Sequence, residues 1–204
     1  VTKITNPKHA SQGVGPEYET IGLYGSSCFT NDLEVVSKAG FICNELGMDT
    51  ISAGSTIACA MELYEEGYLP LKDVGMPLNF GNGEAVIKLT EDMAYRRGFG
   101  NILADGAFRL ASRYGHPEFF MGAKKLEFAS YDSRGLQGMG LGYATNSRGG
   151  CHIRGEVQDL SFYGVNYWRI TTDRNLGPVD PLRWDDKPEL AKDIQDWFCI
   201  IDSS

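Results

Sequence analysis

The stretch NDLEVVSKAGFICNELGMD, residues 31–49, holds the features that decide the fold. Its apolar side chains recur every three to four residues, which is the period of a helix with one buried face. Asn31 is the predicted N-cap, Glu34 completes a capping box, and Gly47 is the predicted left-handed C-cap. The pattern therefore predicts a helix over residues 31–46.

The same period recurs on both sides of short Gly/Pro connections, and the alternating β-branched runs of a sheet are largely missing. The further predicted helices are one opened by Ser55 and ending at Gly67, one from Gly83 to Arg97, one from Asn101 to Tyr114, and a last one with Pro188 at its N1 position. Residues 123–183 instead hold many glycines and only short apolar runs. We expect a mainly α, multi-helical chain with one helical domain over residues 1–122 and a helical, loop-rich one over 123–204.

Composition excludes several classes of protein. The net charge of −8 comes without a basic stripe, which argues against nucleic-acid binding. No run of eighteen apolar residues and no signal-peptide pattern is present, which predicts a soluble, cytoplasmic protein without a membrane partner. The five cysteines are widely spaced, so a disulfide framework is not expected and most should be buried apolar residues.

Three segments combine glycine-determined turns with polar or titratable side chains. In NELGMD, Asn44 and Asp49 flank a helix end and could accept hydrogen bonds from a donor-rich heterocycle, although an ordinary Asx turn explains the pattern as well. In GPEYET, Glu17 and Glu19 would share one side of an extended chain, with Tyr18 on the other. A buried glutamate there could act as an acid or base, whereas a solvated loop is the alternative.

The third segment, residues 131–156, includes GGCHIRGE. His152 could be a general acid or base near neutral pH, although a lone histidine is more often structural. Arg134, Arg148 and Arg154 together with seven glycines between residues 135 and 155 would let backbone and guanidinium groups approach an anionic ligand.

Taken together, these segments resemble the tungsten-containing aldehyde ferredoxin oxidoreductase family. GPEYET, GLYGSSC (22–28), CNELGMDTIS (43–52) and YDSRGLQGMGLGYATNSRGGCH (131–152) resemble that family's sequence in the same order, and the likeness spans essentially the whole chain. It implies a three-domain oxidoreductase, of which residues 1–122 correspond to the middle domain and 123–204 to part of the third.

The resemblance also implies cofactor-binding residues. The family's pterin motif D-x-x-G-L-D corresponds to residues 44–49, with Gly47, Met48 and Asp49 in place. Asn44 replaces the leading aspartate, so one acceptor oxygen remains but the charge is lost. A second pterin motif begins at Asp202, and Arg154 corresponds to a basic residue that contacts the pterin.

Tyr18 and Glu19 correspond to the pair beside the metal, and His152 to the histidine near tungsten. The implied reaction oxidises an aldehyde with water to a carboxylic acid, through a tungsten bis-molybdopterin and a [4Fe–4S] cluster to ferredoxin. The glycines of the third segment would then permit close packing against the cofactor.

The pterin-seating N-terminal domain and the cysteine triplet of the cluster belong upstream of Val1. We therefore expect residues 1–204 alone to be an inactive fragment that binds neither cofactor and no metal. The alternative is a non-catalytic helical module for oligomerisation or partner binding. Whether the chain forms a homodimer is left open.

Overall fold

The computed structural model describes residues 1–155, 180–185 and 187–201. The chain forms two compact units, Val1–Met121 and Gly122–Ser204. Among the described residues helices predominate over a few short strands, which confirms the predicted mainly α class. Within the described ranges, no helix combines the length and the apolar content needed to cross a membrane.

In the first unit, a short antiparallel hairpin pairs Thr2 with Gly13 ahead of a set of packed helices. Helix α2 packs on α5, and α3 packs on both the π-helix and α7. The elements are β1 (Thr2–Ile4), β2 (Ser11–Gly13), α1 (Tyr18–Thr20), a π-helix (Ile21–Ser27), α2 (Leu33–Leu46), α3 (Thr50–Glu65), α4 (Leu71–Val74), α5 (Gly83–Ala94), α6 (Gly100–Leu103), α7 (Ala107–Arg113) and a 3-10 helix (Pro117–Phe119).

Helix α2 forms where the sequence predicts it and ends at Gly47, whose φ of 71° confirms the left-handed C-cap. Its N-cap is Asp32, because a carboxylate oxygen of Asp32 accepts a hydrogen bond from the backbone N–H of Glu34 at 2.8 Å. The prediction of Asn31 as the N-cap is wrong by one residue. The helix begins at Leu33, which leaves Asn31 outside the capping position.

This cap can be tested with a pair of neighbouring substitutions. Asp32→Ala should lower the free energy of unfolding by about 1 kcal/mol, because a backbone N–H in the first turn loses its acceptor. Asn31→Ala is the matched control and should change it by less than about 0.5 kcal/mol. Chemical denaturation followed by far-UV circular dichroism measures both. Equal losses at the two positions would contradict the assignment.

Helix α3 begins at Thr50, five residues before the predicted start at Ser55. Asp49 is its N-cap, with a carboxylate oxygen 2.8 Å from the backbone N of Ser52. A Cβ atom on Gly54 would lie only 2.7 Å from the Cβ of Leu23 in the π-helix. Tight packing of this first half of α3 on the π-helix therefore stabilises a segment whose glycine and β-branched residues have low helix propensity.

One predicted helix end and one predicted continuous helix are also wrong. Helix α5 stops at Ala94, three residues before Arg97, and Arg96 follows with a left-handed φ of 51°. The single helix predicted from Asn101 to Tyr114 consists of α6 and α7, separated by Gly106 with a φ of 88°. Helical geometry cannot continue through a residue with that φ, so the apolar pattern extends across a real break.

The core of the first unit contains a small buried polar cluster. Tyr24 of the π-helix is fully buried, and its hydroxyl lies 3.3 Å from the Sγ of Cys43 and 3.2 Å from the Oγ1 of Thr90. These contacts connect the π-helix with α2 and α5. Because each polar atom has a partner, the cluster helps to fix the relative positions of the three elements.

The cysteines of this core should be unreactive while the protein is folded. Burial raises the pKa of the Cys28 thiol to about 12 and that of Cys43 to about 11, so at pH 8 almost no reactive thiolate is present. With iodoacetamide at pH 8 we expect rapid labelling of exposed Cys199 and labelling of Cys28 and Cys43 only after denaturation. Mass spectrometry of digested protein measures this, and fast labelling of Cys28 in the folded state would contradict it.

The second unit contains β3 (Gly122–Ala123), β4 (Leu126–Glu127), α8 (Gln137–Thr145), a 3-10 helix (Ile153–Gly155) and α9 (Lys187–Ile201). Strands β3 and β4 pair as an antiparallel hairpin, and α9 packs on α8. Helix α9 begins at Lys187, so Pro188 occupies its second position and not the predicted first. The fully buried Lys187 donates a hydrogen bond from Nζ to the carbonyl of Asp180 at 2.7 Å.

Candidate functional site

Tyr18 and Glu19 lie at the start of α1, which runs directly into the π-helix. The two residues are helical, so the alternation expected for an extended chain does not apply here. The Tyr18 side chain is largely exposed, whereas Glu19 is half-buried with its Oε1 atom removed from solvent. Partial burial, and then the nearby Glu19 carboxylate, raise the pKa of the Tyr18 phenol above its usual value. The phenol therefore keeps its proton at neutral pH and can donate a hydrogen bond.

The π-helix restrains this pair from the C-terminal side. π-Helical turns are rare and are concentrated at functional sites. Gly54 of α3 allows Leu23 to approach so closely that a Cβ atom would lie 3.1 Å from the Leu23 carbonyl carbon. The backbone that follows Glu19 is therefore held against α3, the longest helix of this unit.

The turn between α2 and α3 carries the predicted pterin motif. Asn44 is exposed in the last turn of α2, and Gly47 and Met48 reverse the chain, with the Met48 N–H donating to the Cys43 carbonyl at 2.9 Å. Asp49 uses one carboxylate oxygen to cap α3. The structure thus contains the ordinary Asx cap, and it also leaves the Asn44 side chain with no hydrogen bond to the described residues.

The GPEYET segment and this turn meet around a small polar cavity of about 140 Å³. The hydroxyl oxygens of Thr20 and Thr50 are 3.1 Å apart and connect the two segments directly. The cavity is lined by Val14, Gly15, Pro16, Glu17, Thr20, Ser37, Gly40, Asn44 and Thr50. The lining residues include one carboxylate, one side-chain amide and three hydroxyls, so the cavity offers acceptors to the N–H groups of a ligand.

Ser37, Thr20 and Thr50 are residues of this cavity that the sequence pattern did not identify. Ser37 is 2% exposed, and its hydroxyl makes no hydrogen bond with the described residues. In the sequence it is one polar residue inside an apolar helix, which is an unspecific signal. Only the fold shows that it faces the same cavity as Asn44.

In the second unit, His152 is half-buried, and its ring packs against that of Tyr131 with centroids 5.6 Å apart and an interplanar angle of 31°. Cys151 before it is buried, and Arg154 lies partly exposed in the following 3-10 helix. The Cys151 carbonyl accepts a hydrogen bond from the side-chain amide of buried Asn146 at 2.8 Å. Asn146 therefore fixes the backbone immediately before His152.

The glycine pair ahead of Cys151 packs closely on another part of the same unit. A Cβ atom on Gly149 would lie 2.1 Å from the Ala123 carbonyl oxygen, and one on Gly150 would lie 2.5 Å from the Glu127 carbonyl oxygen. These glycines therefore allow close packing on the β3–β4 hairpin of the protein itself. The expectation that they also pack against a cofactor stays a prediction.

Arg134 forms an ion pair within its own segment. Its guanidinium forms a two-pronged ion pair with Asp132, with the shortest distance 2.7 Å between Nη2 and Oδ2. This contact lowers the pKa of the Asp132 carboxyl.

Asp202, the predicted start of the second pterin motif, lies outside the described residues. Where side chains are described, no group of three or more His, Cys, Asp or Glu residues is placed to hold a metal ion.

The family model for aldehyde ferredoxin oxidoreductase, domains 2 and 3, matches residues 1–204. The tungsten-containing aldehyde ferredoxin oxidoreductases of Pyrococcus furiosus and Thermococcus kodakarensis are each 44% identical to this chain over 192 residues, 93% of its length.

A more distant relative is the WOR-like subunit of an aliphatic sulfonate oxidoreductase of Pyrococcus furiosus, 33% identical over 105 residues, or 52% of this chain and 17% of that protein. The chain spans about 30% of the length of the two aldehyde ferredoxin oxidoreductases. With a match from the first residue to the last, it belongs to the aldehyde ferredoxin oxidoreductase family, within the part that forms domains 2 and 3.

Proposed function

We propose that this chain forms part of an enzyme that oxidises aldehydes to carboxylic acids with a tungsten bis-molybdopterin centre and passes the electrons through a [4Fe–4S] cluster to ferredoxin. The names of its relatives support tungsten, aldehyde and ferredoxin as the metal, substrate and electron partner. The structural observation that carries the proposal is the convergence of the GPEYET segment with Asn44 and Thr50, on either side of the turn between α2 and α3, on one polar cavity.

The residues around this cavity fit an edge of a pterin. A pterin presents ring and amino N–H donors, and the cavity presents the oxygens of Asn44, Ser37 and Thr50. Ser37, a residue only 2% exposed, adds a hydroxyl to this lining. We assign Asn44, Gly47, Met48 and Asp49 to this contact, with Arg154 and Asp202 as further pterin contacts. The bound centre would accept two electrons from the substrate.

Proton movement would be the task of this chain. Aldehyde and water give carboxylic acid, two electrons and two protons. Glu19 accepts a proton from the attacking water, because its half-buried carboxylate lies at the start of α1 beside the cavity-lining Glu17 and Thr20. Tyr18 donates a hydrogen bond to the carbonyl oxygen and so favours attack at carbon. His152 serves as a second proton carrier.

The test uses the full-length protein produced with tungstate. We expect stoichiometric tungsten by metal analysis and aldehyde-dependent reduction of ferredoxin, with the carboxylic acid formed in a ratio of one per two electrons. Asn44→Leu should lower the tungsten content, whereas Asn44→Asp, which restores the family's acidic residue, should keep it. A protein that binds tungsten normally but reduces no ferredoxin with any aldehyde would refute the proposed reaction.

A further inference from the structure

A mostly apolar groove opens along the π-helix immediately after the Tyr18–Glu19 pair. Its volume of about 640 Å³ lies within the range of small-molecule sites, roughly 300–1,000 Å³. Three large apolar side chains on its walls remain exposed: Ile21 by 45%, Phe29 by 75% and Leu33 by 64%. Ile21, at the start of this π-helix, follows Glu19 by two residues in the chain.

The backbone at Phe29 is strained. Its φ of 55° lies in the left-handed region, which a bulky non-glycine residue rarely adopts. The strained turn is held by backbone hydrogen bonds from Phe29 N to the Ser26 carbonyl and from Thr30 N to the Gly25 carbonyl. The side chain gains little burial in return, since Phe29 is 75% exposed. Strain that orients an exposed aromatic ring is typical of a binding site.

The floor of the groove contains a buried side-chain hydroxyl. Thr30 is 92% buried, lines the groove, and its Oγ1 atom has no hydrogen-bond partner among the described residues. A buried hydroxyl without a partner destabilises a protein unless a ligand supplies one. The hydroxyl can donate one hydrogen bond to an oxygen atom. A recessed donor surrounded by apolar walls fits a small molecule with one carbonyl better than a broad protein surface.

We propose that this groove binds the aldehyde substrate, with Ile21, Phe29 and Leu33 around its apolar side chain and the Thr30 hydroxyl donating to its oxygen. This inference rests on the proposed function and names the determinants of its substrate choice. We expect the groove to bind aldehydes with compact apolar side chains, such as benzaldehyde, in preference to polyhydroxylated ones, such as glyceraldehyde. Hydroxyl groups would lose water at the apolar walls without gaining partners.

The first test measures benzaldehyde binding to the full-length protein by ligand-observed NMR, without an electron acceptor. Leu33→Ser should weaken binding about fivefold to tenfold, since most of one apolar contact is lost. Leu71→Ser is the matched control, because Leu71 is also an exposed leucine at the first position of a helix. It should leave the dissociation constant unchanged. Equal effects of the two substitutions would overturn the proposal.

The second test isolates the Thr30 hydroxyl. Thr30→Val keeps the shape of the side chain and removes the donor, so benzaldehyde should bind about fivefold more weakly while toluene binds unchanged. If both ligands respond equally, the hydroxyl does not contact the substrate. If Phe29 and Leu33 are covered by another segment of the full-length protein, the groove is not a substrate site.

These measurements separate the two proposals. Binding in the groove without any aldehyde oxidation would refute the proposed function and retain the binding site. Aldehyde oxidation with the same KM in Leu33→Ser and Leu71→Ser would refute the groove and retain the function.

Discussion

Gly149→Ala is expected to destabilise the second unit by about 3 kcal/mol or more. The new Cβ would lie 2.1 Å from the Ala123 carbonyl oxygen and 2.8 Å from its carbonyl carbon, so the β3–β4 hairpin must move. The φ of 88° at Gly149 adds a backbone penalty that alanine cannot avoid. These two effects act on the same residue, and backbone atoms cannot swing aside as a flexible side chain can.

Gly135→Ala provides the matched control within the same unit. Its Cβ would meet only the Asp132 carbonyl oxygen at 3.7 Å, an ordinary van der Waals contact, and its φ is not left-handed. We expect a change below about 1 kcal/mol. All three tryptophans, Trp168, Trp184 and Trp197, lie after residue 121, so fluorescence during urea unfolding reports this unit specifically. Equal stability of the Gly149→Ala and Gly135→Ala proteins would contradict the close packing seen at Gly149.

The glycine pair also shows what the sequence cannot reveal. A glycine-rich segment predicts close approach of the backbone to something, but the pattern is the same whether that neighbour is a cofactor or a hairpin of the same chain. At Gly149 and Gly150 the neighbour is the β3–β4 backbone. Short strands of two residues leave almost no periodic signal, so this hairpin could not be predicted.

Local signals, in contrast, predicted the main helices. The period of α2 and its Gly47 cap depend on nearby residues and were correct, but two adjacent capping candidates, Asn31 and Asp32, could be distinguished only by the observed hydrogen bond. The early start of α3 depends on packing against the π-helix, a contact between distant residues. The hydrogen bond between Thr20 and Thr50 could not be predicted from the sequence either, because it also joins residues that are distant in the chain.

In the full-length enzyme, Glu19→Gln is expected to lower kcat for aldehyde oxidation by about 10²–10⁴-fold, the usual contribution of a general base. The amide keeps the size of the side chain but cannot accept the proton of the attacking water. Tungsten content and thermal stability should stay near those of the unsubstituted protein, because the change is isosteric. Glu66→Gln, an exposed glutamate at the end of α3, is the control and should retain activity.

Tyr18→Phe distinguishes a hydrogen-bond donor from a proton carrier. Burial and the Glu19 carboxylate raise the pKa of the Tyr18 phenol above its usual value. The phenol therefore keeps its proton at every pH below that usual value. Its donated hydrogen bond is therefore present throughout the neutral range, and the loss of kcat on removing it, about tenfold, should be constant between about pH 6 and pH 9. A loss that disappears toward either end of this range would mean that the hydroxyl titrates during the reaction.

A Glu19→Gln enzyme with unchanged kcat would exclude this carboxylate as the base and leave His152 as the remaining candidate for that role.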